Sequence, residues 1–283
     1  MKVGFVTVLG KTNVGKSTLL NTIMKRNFFI VSSKPQTTRH RIIGVLNLED
    51  AQIAFVDTPG IFEPKNELEK AMAESIKFAL VDADIFYYMI DVYDLEIDEG
   101  IFKKIKDKTK FLLINKIDKV EKNIILPIID KFKDYGFDEI IPVSALKNQN
   151  IDDLLETTKK YLPEGERLFL PDQISDRPVQ FFIAEFIREK LYFVYGQEIP
   201  YSCAVEIEEF RDNFIKANII VEKDSQKGII IGKDGERIKK VGILARESIE
   251  HFLGKKIYLE LWVKVKKNWR KDAELVRRLG YYE

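Results

Sequence analysis

The first half of the chain repeats one pattern, a short apolar run that is rich in β-branched residues and ends in a polar or glycine-containing turn. These runs lie at 3–8, 53–56, 111–114 and 140–143. Apolar residues at helical spacing follow the first run at 18–24 and the last at 151–161. Continuous apolar runs that alternate with helices are typical of strands buried on both faces of a parallel sheet. We therefore expect an α/β domain with a mostly parallel sheet and helices on both faces.

The second half has a different pattern, in which helical spacing comes first and alternating strands follow. Its predicted regular elements are a first helix at 179–195, strands at 203–208, 218–221 and 258–265, and a long amphipathic helix at 238–252. A short apolar turn at 225–231 precedes the long helix, and Gly254 ends that helix. The predicted order of this α+β domain is α-β-β-α-α-β.

Helix-breaking residues separate the two halves of the chain. They are Pro163, Gly165, Pro171 and Pro178. The segment that carries them is polar and has no apolar period. We therefore predict a first domain at 1–165, a linker at 166–178 and a second domain at 179–283.

The turn after the first apolar run fits GxxxxGK[ST], a pattern that cradles phosphate groups. Its residues are Gly10, Lys11, Thr12, Asn13, Val14, Gly15, Lys16 and Ser17, and Thr18 follows them. The motif requires a strand before it and a helix after it, because its glycines turn backbone N–H groups toward one point and the new helix adds its positive end. Lys16 is expected to reach the β- and γ-phosphates, and the Ser17 hydroxyl is expected to ligate Mg²⁺.

A second turn, at residues 57–60, indicates a magnesium site. Asp57 follows a buried apolar run, and a carboxylate in that position suits Mg²⁺ held through water. Gly60 lets its backbone N–H approach a γ-phosphate, and loss of that contact on hydrolysis would release the loop. Taken alone, this turn is a common one.

Two later turns indicate which base is bound. Asn115, Lys116 and Asp118 follow the run at 111–114, and a carboxylate there accepts hydrogen bonds from guanine N1–H and N2–H₂, a donor pair that adenine lacks. The aliphatic part of Lys116 can cover the face of the base. The last turn, formed by Ser144, Ala145 and Leu146, is expected to place a backbone N–H near guanine O6. An adenine-using enzyme is the less favoured alternative, because Asp118 argues against it.

The composition fits an intracellular protein with packed cores. The chain has 283 residues, of which 45% are hydrophobic and 32% are charged. Cys203 is the only cysteine, so no intrachain disulfide can form, and this suits a reducing compartment. We expect neither a signal peptide nor a membrane-spanning segment, because the apolar runs are far shorter than the ~18 residues that a span requires.

Net charge alone argues against nucleic acid, whereas the distribution of charge argues for it. The formal net charge is +1, but residues 227–278 contain 15 basic and 7 acidic residues. Within this region Gly232, Lys233, Asp234 and Gly235 form a GxxG segment before the long helix. The missing side chains let a nucleic-acid backbone pack closely, and the helix supplies free N–H donors. Of the two tryptophans, Trp269 is the better candidate for stacking on bases, although packing is the favoured interpretation for it, and Trp262 is the candidate for the core.

The four turns, in this order, resemble those of the small GTP-binding proteins over about the first 165 residues. The resemblance implies that the polar loop at 35–40 is a switch segment, in which Thr38 rather than Thr37 brings its hydroxyl to Mg²⁺ in the GTP state. It gives catalytic roles to Lys16, Thr38, Gly60 and Asn13, and related GTPases with asparagine at the Asn13 position can hold K⁺. Ile61 stands where signalling GTPases carry a water-orienting glutamine, with Phe62 after it. Intrinsic hydrolysis is therefore expected to be slow.

The GxxG segment resembles the loop of a type II KH domain, which grips single-stranded nucleic acid. A GTPase domain followed by such a domain is similar to the Era family of GTPases across essentially the whole chain, including Gln36–Arg39 of the switch. The departure at Lys11 and Thr12, where the family often has Arg-Pro, leaves the cradle glycines intact. The expected RNA-binding residues are Ile231, Gly232, Lys233, Asp234, Gly235, Lys239, Lys240, Arg246, Lys267 and Arg270.

The resemblance to the Era family implies the partners and the place of action. They are the single-stranded 3′ end of 16S ribosomal RNA and the 30S ribosomal subunit, whose assembly the protein would assist in a GTP-dependent way. The implied location is the cytoplasm, with peripheral contact to the inner face of the cell membrane, and the implied state is a monomer. The alternative is a signalling GTPase whose second domain docks proteins through the acidic stretch at 206–212.

Overall fold

The computed structural model describes residues 1–31, 34, 37–60, 64–196 and 198–282, which pack into two compact units. The first unit contains Met1–Phe29, Thr38–Phe62 and Ala73–Asp176. The second contains Ile30–Thr37, Glu63–Met72 and Arg177–Glu283. One of the five boundaries between these segments is the peptide bond between Thr37 and Thr38, inside the segment that the sequence indicates as a switch.

Elements up to residue 161 alternate between strand and helix. They are β1 (Lys2–Leu9), α1 (Lys16–Met24), β2 (Ile42–Asn47), β3 (Ala51–Asp57), α2 (Glu67–Val81), β4 (Ile85–Asp91), α3 (Glu99–Lys104), β5 (Thr109–Asn115), α4 (Lys122–Phe132), β6 (Glu139–Pro142) and α5 (Ile151–Tyr161). The sheet has the order β2-β3-β1-β4-β5-β6. Its pairs are parallel except for β2 with β3.

Burial explains why these strands carry continuous apolar runs. Residues 111–114 of β5 are fully buried, and β3 is buried along its whole length. Because the parallel strands run in one direction, the turns that follow β1, β3, β5 and β6 lie at the same edge of the sheet. The fold thereby gathers the four predicted turns at the carboxyl ends of the strands, where ligands bind in open α/β sheets.

The segment that the sequence indicates as a linker, 166–178, lies mostly along the first unit instead. The Val45 N–H of β2 donates to the Ile174 carbonyl at 2.9 Å, and the Ser175 hydroxyl donates to the Ile43 carbonyl at 2.6 Å. On the neighbouring strand, the Gln52 amide donates to the Phe169 carbonyl at 2.9 Å. β2 is an edge strand, and an edge left open exposes unpaired backbone groups. The hydrogen bonds to this edge strand hold the segment, through Asp176, in the first unit.

The second unit is an α+β arrangement around a three-stranded sheet. Its elements are α6 (Val179–Val194), α7 (Ile199–Ser202), β7 (Ala204–Arg211), β8 (Phe214–Val221), α8 (Asp224–Ile231), α9 (Glu236–Leu253), β9 (Tyr258–Val265) and α10 (Ala273–Arg278). β7 and β8 are antiparallel, and β8 and β9 are parallel. None of the helices formed by the described residues has both the length and the apolar character that a bilayer span needs.

Two features of the second unit differ from the sequence-based expectation. Residues 225–231, predicted as a turn, belong to the helix α8, whose start is tied by Gln226: its Oε1 accepts from the Glu222 and Lys223 N–H groups. Trp269, the better stacking candidate of the two tryptophans but favoured as a packed residue, is fully buried and donates its indole N–H to the Ser202 carbonyl at 2.9 Å. Trp262, the candidate for the core, instead has 54% of its surface exposed.

A buried ion pair on α6 anchors one end of the segment Ile30–Thr37, which packs in the same unit. Arg188 and Glu185 are 1% and 5% exposed, and the guanidinium binds both carboxylate oxygens, with Nε 2.8 Å from Oε1 and Nη2 2.6 Å from Oε2. The same Nη2 donates to the Thr37 carbonyl at 2.7 Å. Lys34 Nζ donates to the Tyr192 and Tyr195 carbonyls at the end of α6, where the last carbonyls of a helix lack partners. Thr37 is thus bonded to the middle of α6, and Lys34 is bonded to its C-terminal end.

Removal of Arg188 is expected to destabilise the second unit strongly. Arg188→Ala leaves the Glu185 carboxylate buried without its counter-charge, a loss that costs roughly 3–5 kcal/mol. The matched control is Arg211→Ala, because Arg211 is 81% exposed in its pair with Glu209 and an exposed pair contributes less than about 1 kcal/mol.

Urea unfolding followed by tryptophan fluorescence measures this loss in the second unit, which holds both tryptophans. Equal effects of the two substitutions on the free energy of unfolding would show that the buried pair does not stabilise α6.

Candidate functional site

The loop between β1 and α1 has a backbone that only glycine can form at two points. Gly10 has φ +141° and Gly15 has φ +105°, both in the region that disfavours side chains. A Cβ on Gly10 would lie 2.3 Å from the Met89 carbonyl oxygen, and one on Gly15 would lie 2.3 Å from Asn115 Nδ2. These glycines therefore let the loop lie against β4 and against the turn after β5. The loop ends where α1 begins, at Lys16.

Lys16 is buried with its charge in this loop. Its ammonium donates to the Gly10 carbonyl at 2.9 Å and to the Lys11 carbonyl at 2.8 Å, and the residue is 8% exposed. Burial lowers the pKa of Lys16 to about 8, and the charge of Asp57 opposes that shift. A buried ammonium held by two neutral carbonyls is suited to receive an anionic ligand.

Three side-chain oxygens meet beside this ammonium. The Ser17 and Thr38 hydroxyls donate to Asp57 Oδ2 at 3.0 and 3.3 Å, and the two hydroxyl oxygens lie 3.4 Å apart. The other carboxylate oxygen, Oδ1, is buried and has no hydrogen-bond partner among the residues that the structure describes. Burial raises the pKa of Asp57 to about 6, although the charge of Lys16 opposes the rise. Hard oxygen donors and an unsatisfied carboxylate oxygen fit a Mg²⁺ ion.

Of the two candidate threonines in the switch segment, the structure brings only Thr38 to these oxygens. Thr37 instead donates its hydroxyl to the Lys34 carbonyl at 2.8 Å. Gly60 lies against the phosphate loop, since a Cβ there would be 2.8 Å from Thr12 Cγ2. Ile61 and Phe62, on which the expectation of slow hydrolysis rests, lie outside the described residues, as do Pro35 and Gln36.

The turns after β5 and β6 are fastened to the phosphate loop. Asn115 donates from Nδ2 to the Val14 carbonyl at 2.7 Å and accepts at Oδ1 from the Ala145 N–H at 3.0 Å. The Ser144 hydroxyl donates to Asp118 Oδ1 at 2.6 Å. Asn115 thus joins all three loops, and Ser144 orients the carboxylate that the sequence indicates as the base reader. Leu146 points its side chain to solvent, with 67% of its surface exposed.

Two lysines of the site make contacts that the sequence did not reveal. Lys116 donates to the Asn13 carbonyl at 2.9 Å and pairs with Asp91 at the end of β4. Lys11 turns to the loop after β4, with Nζ 2.8 Å from Asp94 Oδ2 and in contact with Glu96. Those carboxylates raise the pKa of Lys11. The Lys11 side chain is therefore committed elsewhere, and its backbone remains for the phosphate cradle.

The GxxG segment joins α8 to α9 through a backbone that requires glycine. Gly232 has φ +73° and ψ +179°, a conformation that glycine alone adopts readily, and a Cβ there would lie 2.8 Å from Arg237 Cγ. Gly235 has φ +77° and open space around its Cβ position. Asp234, between them, has φ +51°. The segment 232–235, here called the GxxG ridge, therefore carries no side chain at its first and last residues, just before α9.

The predicted RNA-binding side chains have different settings. Lys233, Asp234, Lys239, Lys240, Arg246 and Lys267 are exposed, while Ile231, Gly232, Gly235 and Arg270 are half-buried. Arg270 pairs with Glu222, which has only 13% of its side chain exposed, so its guanidinium is held within the unit. The exposed cations around the GxxG segment remain the stronger candidates for phosphate contacts.

Comparison with known proteins gives the family. Residues 5–160 match the family described as 50S ribosome-binding GTPase, and residues 198–270 match the family described as KH domain. GTPase Era of Lactobacillus helveticus is 44% identical over an alignment of 289 positions, which covers 99% of this chain and 96% of that protein. The chain belongs to the Era family of GTPases. The family prediction is confirmed, as is the fold class of a P-loop GTPase domain followed by a KH domain.

Solved Era structures show the same architecture. Aquifex aeolicus Era, as a point variant bound to GDP·AlF4⁻, is 45% identical, and another Era structure, in complex with MgGDPNP and nucleotides 1506–1542 of 16S ribosomal RNA, is 46% identical. Each covers all of this chain and all of its own chain, with a TM-score of 0.95. This Era-family chain is a GTPase.

Magnesium-dependent nucleotide binding is expected to weaken below pH 6. The raised pKa means that ligand-free Asp57 is protonated below about 6, and a protonated carboxyl cannot hold a water ligand of Mg²⁺. Affinity for GDP with Mg²⁺ should then fall by up to about tenfold for each pH unit below 6. By the same linkage, Asp57 makes the ligand-free fold less stable as pH rises from about 4 to about 6, because the folded state holds a proton there that the unfolded state has lost.

Titrations of GDP from pH 5 to 8, with Mg²⁺ or with EDTA, measure this dependence. Asp57→Asn should remove it and leave only the titration of the nucleotide itself, whereas Asp107→Asn, at an exposed position, should not change the curve. A native curve that coincides with that of Asp57→Asn would contradict the assignment.

Proposed function

We propose that this GTPase is a switch that binds the single-stranded 3′ end of 16S ribosomal RNA and assists assembly of the 30S ribosomal subunit. The observation that carries the proposal is the solved Era structure with MgGDPNP and 16S ribosomal RNA nucleotides, to which this chain is 46% identical over its whole length. The GxxG ridge and the nucleotide site of this chain supply the chemistry that such a function needs.

The residues at the strand ends fit a guanine nucleotide with Mg²⁺. Ser17, Thr38 and Asp57 are the residues that would hold the ion, which supplies positive charge where the transferred phosphoryl group develops negative charge. Lys16 neutralises the β- and γ-phosphates. Asn115 and Asp118 read guanine, because Asn115 is locked between two loops and Asp118 is oriented by a hydroxyl. The alternative of an adenine nucleotide would leave the Asp118 carboxylate without the donor pair that guanine offers.

Asn13 and Gly60 complete the proposed catalytic set. Asn13 has φ +64°, and its carbonyl accepts a hydrogen bond from Lys116 Nζ. Its position in the phosphate loop is therefore fixed by a residue of the turn after β5. We assign it as the residue that would hold K⁺ near the phosphates, in line with the resemblance of the phosphate loop. Gly60 is the residue whose N–H would approach the γ-phosphate, because its closeness to Thr12 places it beside the cradle.

The second unit supplies the RNA-binding chemistry. The absence of side chains at Gly232 and Gly235 lets a phosphodiester backbone approach the N-terminus of α9, whose free N–H groups and dipole favour anions. Lys233, Lys239, Lys240 and Arg246 add charge around it. Lys267 extends the basic surface after β9.

GTP would influence this unit through the switch segment. The Thr37 carbonyl is held by Arg188, and the next residue, Thr38, has its hydroxyl at the magnesium site. A change at Thr38 on GTP binding or hydrolysis therefore acts on a residue that the second unit holds. This supports the proposal that GTP orders or exposes the RNA groove and that hydrolysis releases the particle.

The alternative function, protein docking through the acidic stretch at 206–212, is less well supported. Glu206 pairs with Arg278, Glu208 with Lys264, and Glu209 with Arg211. The glutamates of β7 are thus engaged within their own unit, so they do not form a free acidic face. The cytoplasmic location, the membrane contact and the monomeric state stay predictions.

RNA binding is expected to depend on Gly235. Gly235→Asp places a side chain and a negative charge on the ridge and should weaken binding of an RNA of 16S nucleotides 1506–1542 by at least about tenfold, because like charges oppose each other at close range. The matched control is Gly254→Asp. Gly254 has φ +67° and open space at its Cβ position, like Gly235, but it lies at the other end of α9.

RNA affinity is measured across a salt series, with thermal unfolding to show that both variants are folded. The native protein should show a steep salt dependence, since phosphate contacts release counterions. Equal RNA affinity for the native protein and Gly235→Asp would rule out the GxxG ridge, and a flat salt series for the native protein would favour the protein-docking alternative.

A further inference from the structure

The turn formed by Ser144, Ala145 and Leu146, here called the base loop, is held from three sides. The Ser144 hydroxyl donates to Asp118, and the Ala145 N–H donates to Asn115. The third contact is to the Ala145 carbonyl, which accepts the Thr22 hydroxyl at 2.7 Å. The first two contacts are made by residues of the base-reading turns, but the third comes from the last turn of α1.

Thr22 has an unusual use for its hydroxyl. A threonine inside a helix usually donates back to the carbonyl four residues earlier, and threonine is one of the weaker helix formers. In α1, which has nine residues, the Thr22 hydroxyl reaches a carbonyl 123 positions away in sequence. Ala145 is 1% exposed, so its carbonyl depends on protein partners rather than on bulk water.

The contact closes a ring of hydrogen bonds around the nucleotide site. Val14 of the phosphate loop is bonded to Asn115, Asn115 to Ala145, and Ala145 to Thr22. Thr22 returns to the phosphate loop through α1, which starts at Lys16. The helix that receives the phosphates therefore also sets the position of the base loop.

We propose that Thr22 is a positioning residue for guanine recognition, because its hydroxyl fixes the base loop against the phosphate-binding helix. This inference rests on the proposed guanine-reading role of the turns after β5 and β6. Thr22 acts through the Ala145 peptide and does not itself touch the base. Without the hydroxyl, the loop loses one of its three anchors, and the 6-oxo edge of guanine loses a preset partner.

Thr22→Val and Thr22→Ser test this role. Valine keeps the branched shape but cannot donate, so GDP binding must restrain a loop that one neutral hydrogen bond restrained before. GDP affinity should therefore fall about fivefold to tenfold. Serine keeps the donor and should restore affinity to within about twofold. Thr157→Val is the matched control, since Thr157 is also half-buried on a helix of the first unit and its hydroxyl is not among the contacts that join the nucleotide loops.

The second readout is selectivity at the 6 position of the base. The diphosphate of 2,6-diaminopurine riboside carries an amino group where guanine has O6, and it also lacks the N1–H that Asp118 accepts, a difference that Thr22→Val does not alter. Thr22→Val should weaken GDP more than this analogue, so the affinity ratio of the two nucleotides should fall severalfold. A substitution that only disturbed α1 and the phosphate loop would weaken both nucleotides equally.

The inference is overturned if GDP affinity of Thr22→Val stays within twofold of the native value, if both nucleotides weaken equally, or if serine fails to restore affinity. Should the valine variant not fold, Thr22→Ala, which only removes atoms, carries the same expectations. Asp118→Asn distinguishes an error in the guanine site from an error in the role of Thr22, because it should shift preference from GDP to xanthosine diphosphate. If that shift is absent, the guanine site itself is wrongly assigned; if it is present and Thr22→Val has no effect, only the role of Thr22 is wrong.

Discussion

Two opposite charges, on Lys16 and Asp57, are buried near the ends of β1 and β3. The Lys16 ammonium is bonded only to neutral carbonyls, and one oxygen of the Asp57 carboxylate has no hydrogen-bond partner among the described residues. Burial lowers the pKa of the lysine and raises the pKa of the aspartate, so each charge is disfavoured in the ligand-free protein. An anionic phosphate and a divalent cation supply what each lacks. The parallel sheet makes this possible because it brings the ends of distant strands to one edge and excludes water from their side chains.

Thr38 connects this charge arrangement to the second unit. Its hydroxyl shares Asp57 Oδ2 with Ser17, while the residue before it is held by the buried Arg188–Glu185 pair. Breaking the hydrogen bond between the Thr37 carbonyl and the buried, charged Arg188 guanidinium costs more free energy than breaking a neutral one. Thr37 is therefore held in the second unit, while the hydroxyl of the next residue, Thr38, lies at the magnesium site. The peptide bond between Thr37 and Thr38 is thus one of the five places where the chain passes from one unit to the other.

The sequence was informative wherever one local rule governs a residue. Glycines at positive φ, strand ends with fixed motifs and the boundaries of α5 and β9 follow from such rules, and the structure shows them where the patterns placed them. It was uninformative where a long-range partner decides. Lys11 is drawn away by Asp94, and Thr22 contacts a loop in the last third of the first unit. No spacing in the chain encodes those partners.

The proposed function requires that the nucleotide bound at the Thr38 site changes the affinity of the second unit for RNA. The most direct measurement is the reciprocal coupling of GDPNP and an RNA of 16S nucleotides 1506–1542 in the full chain. GDPNP in place of GDP should raise RNA affinity by a factor of about five or more, and RNA should raise the affinity for GDPNP over GDP by the same factor, as linkage requires. Thr38→Ala should reduce both factors to one. A factor of one in the native protein, or an unchanged factor in Thr38→Ala, would contradict the account.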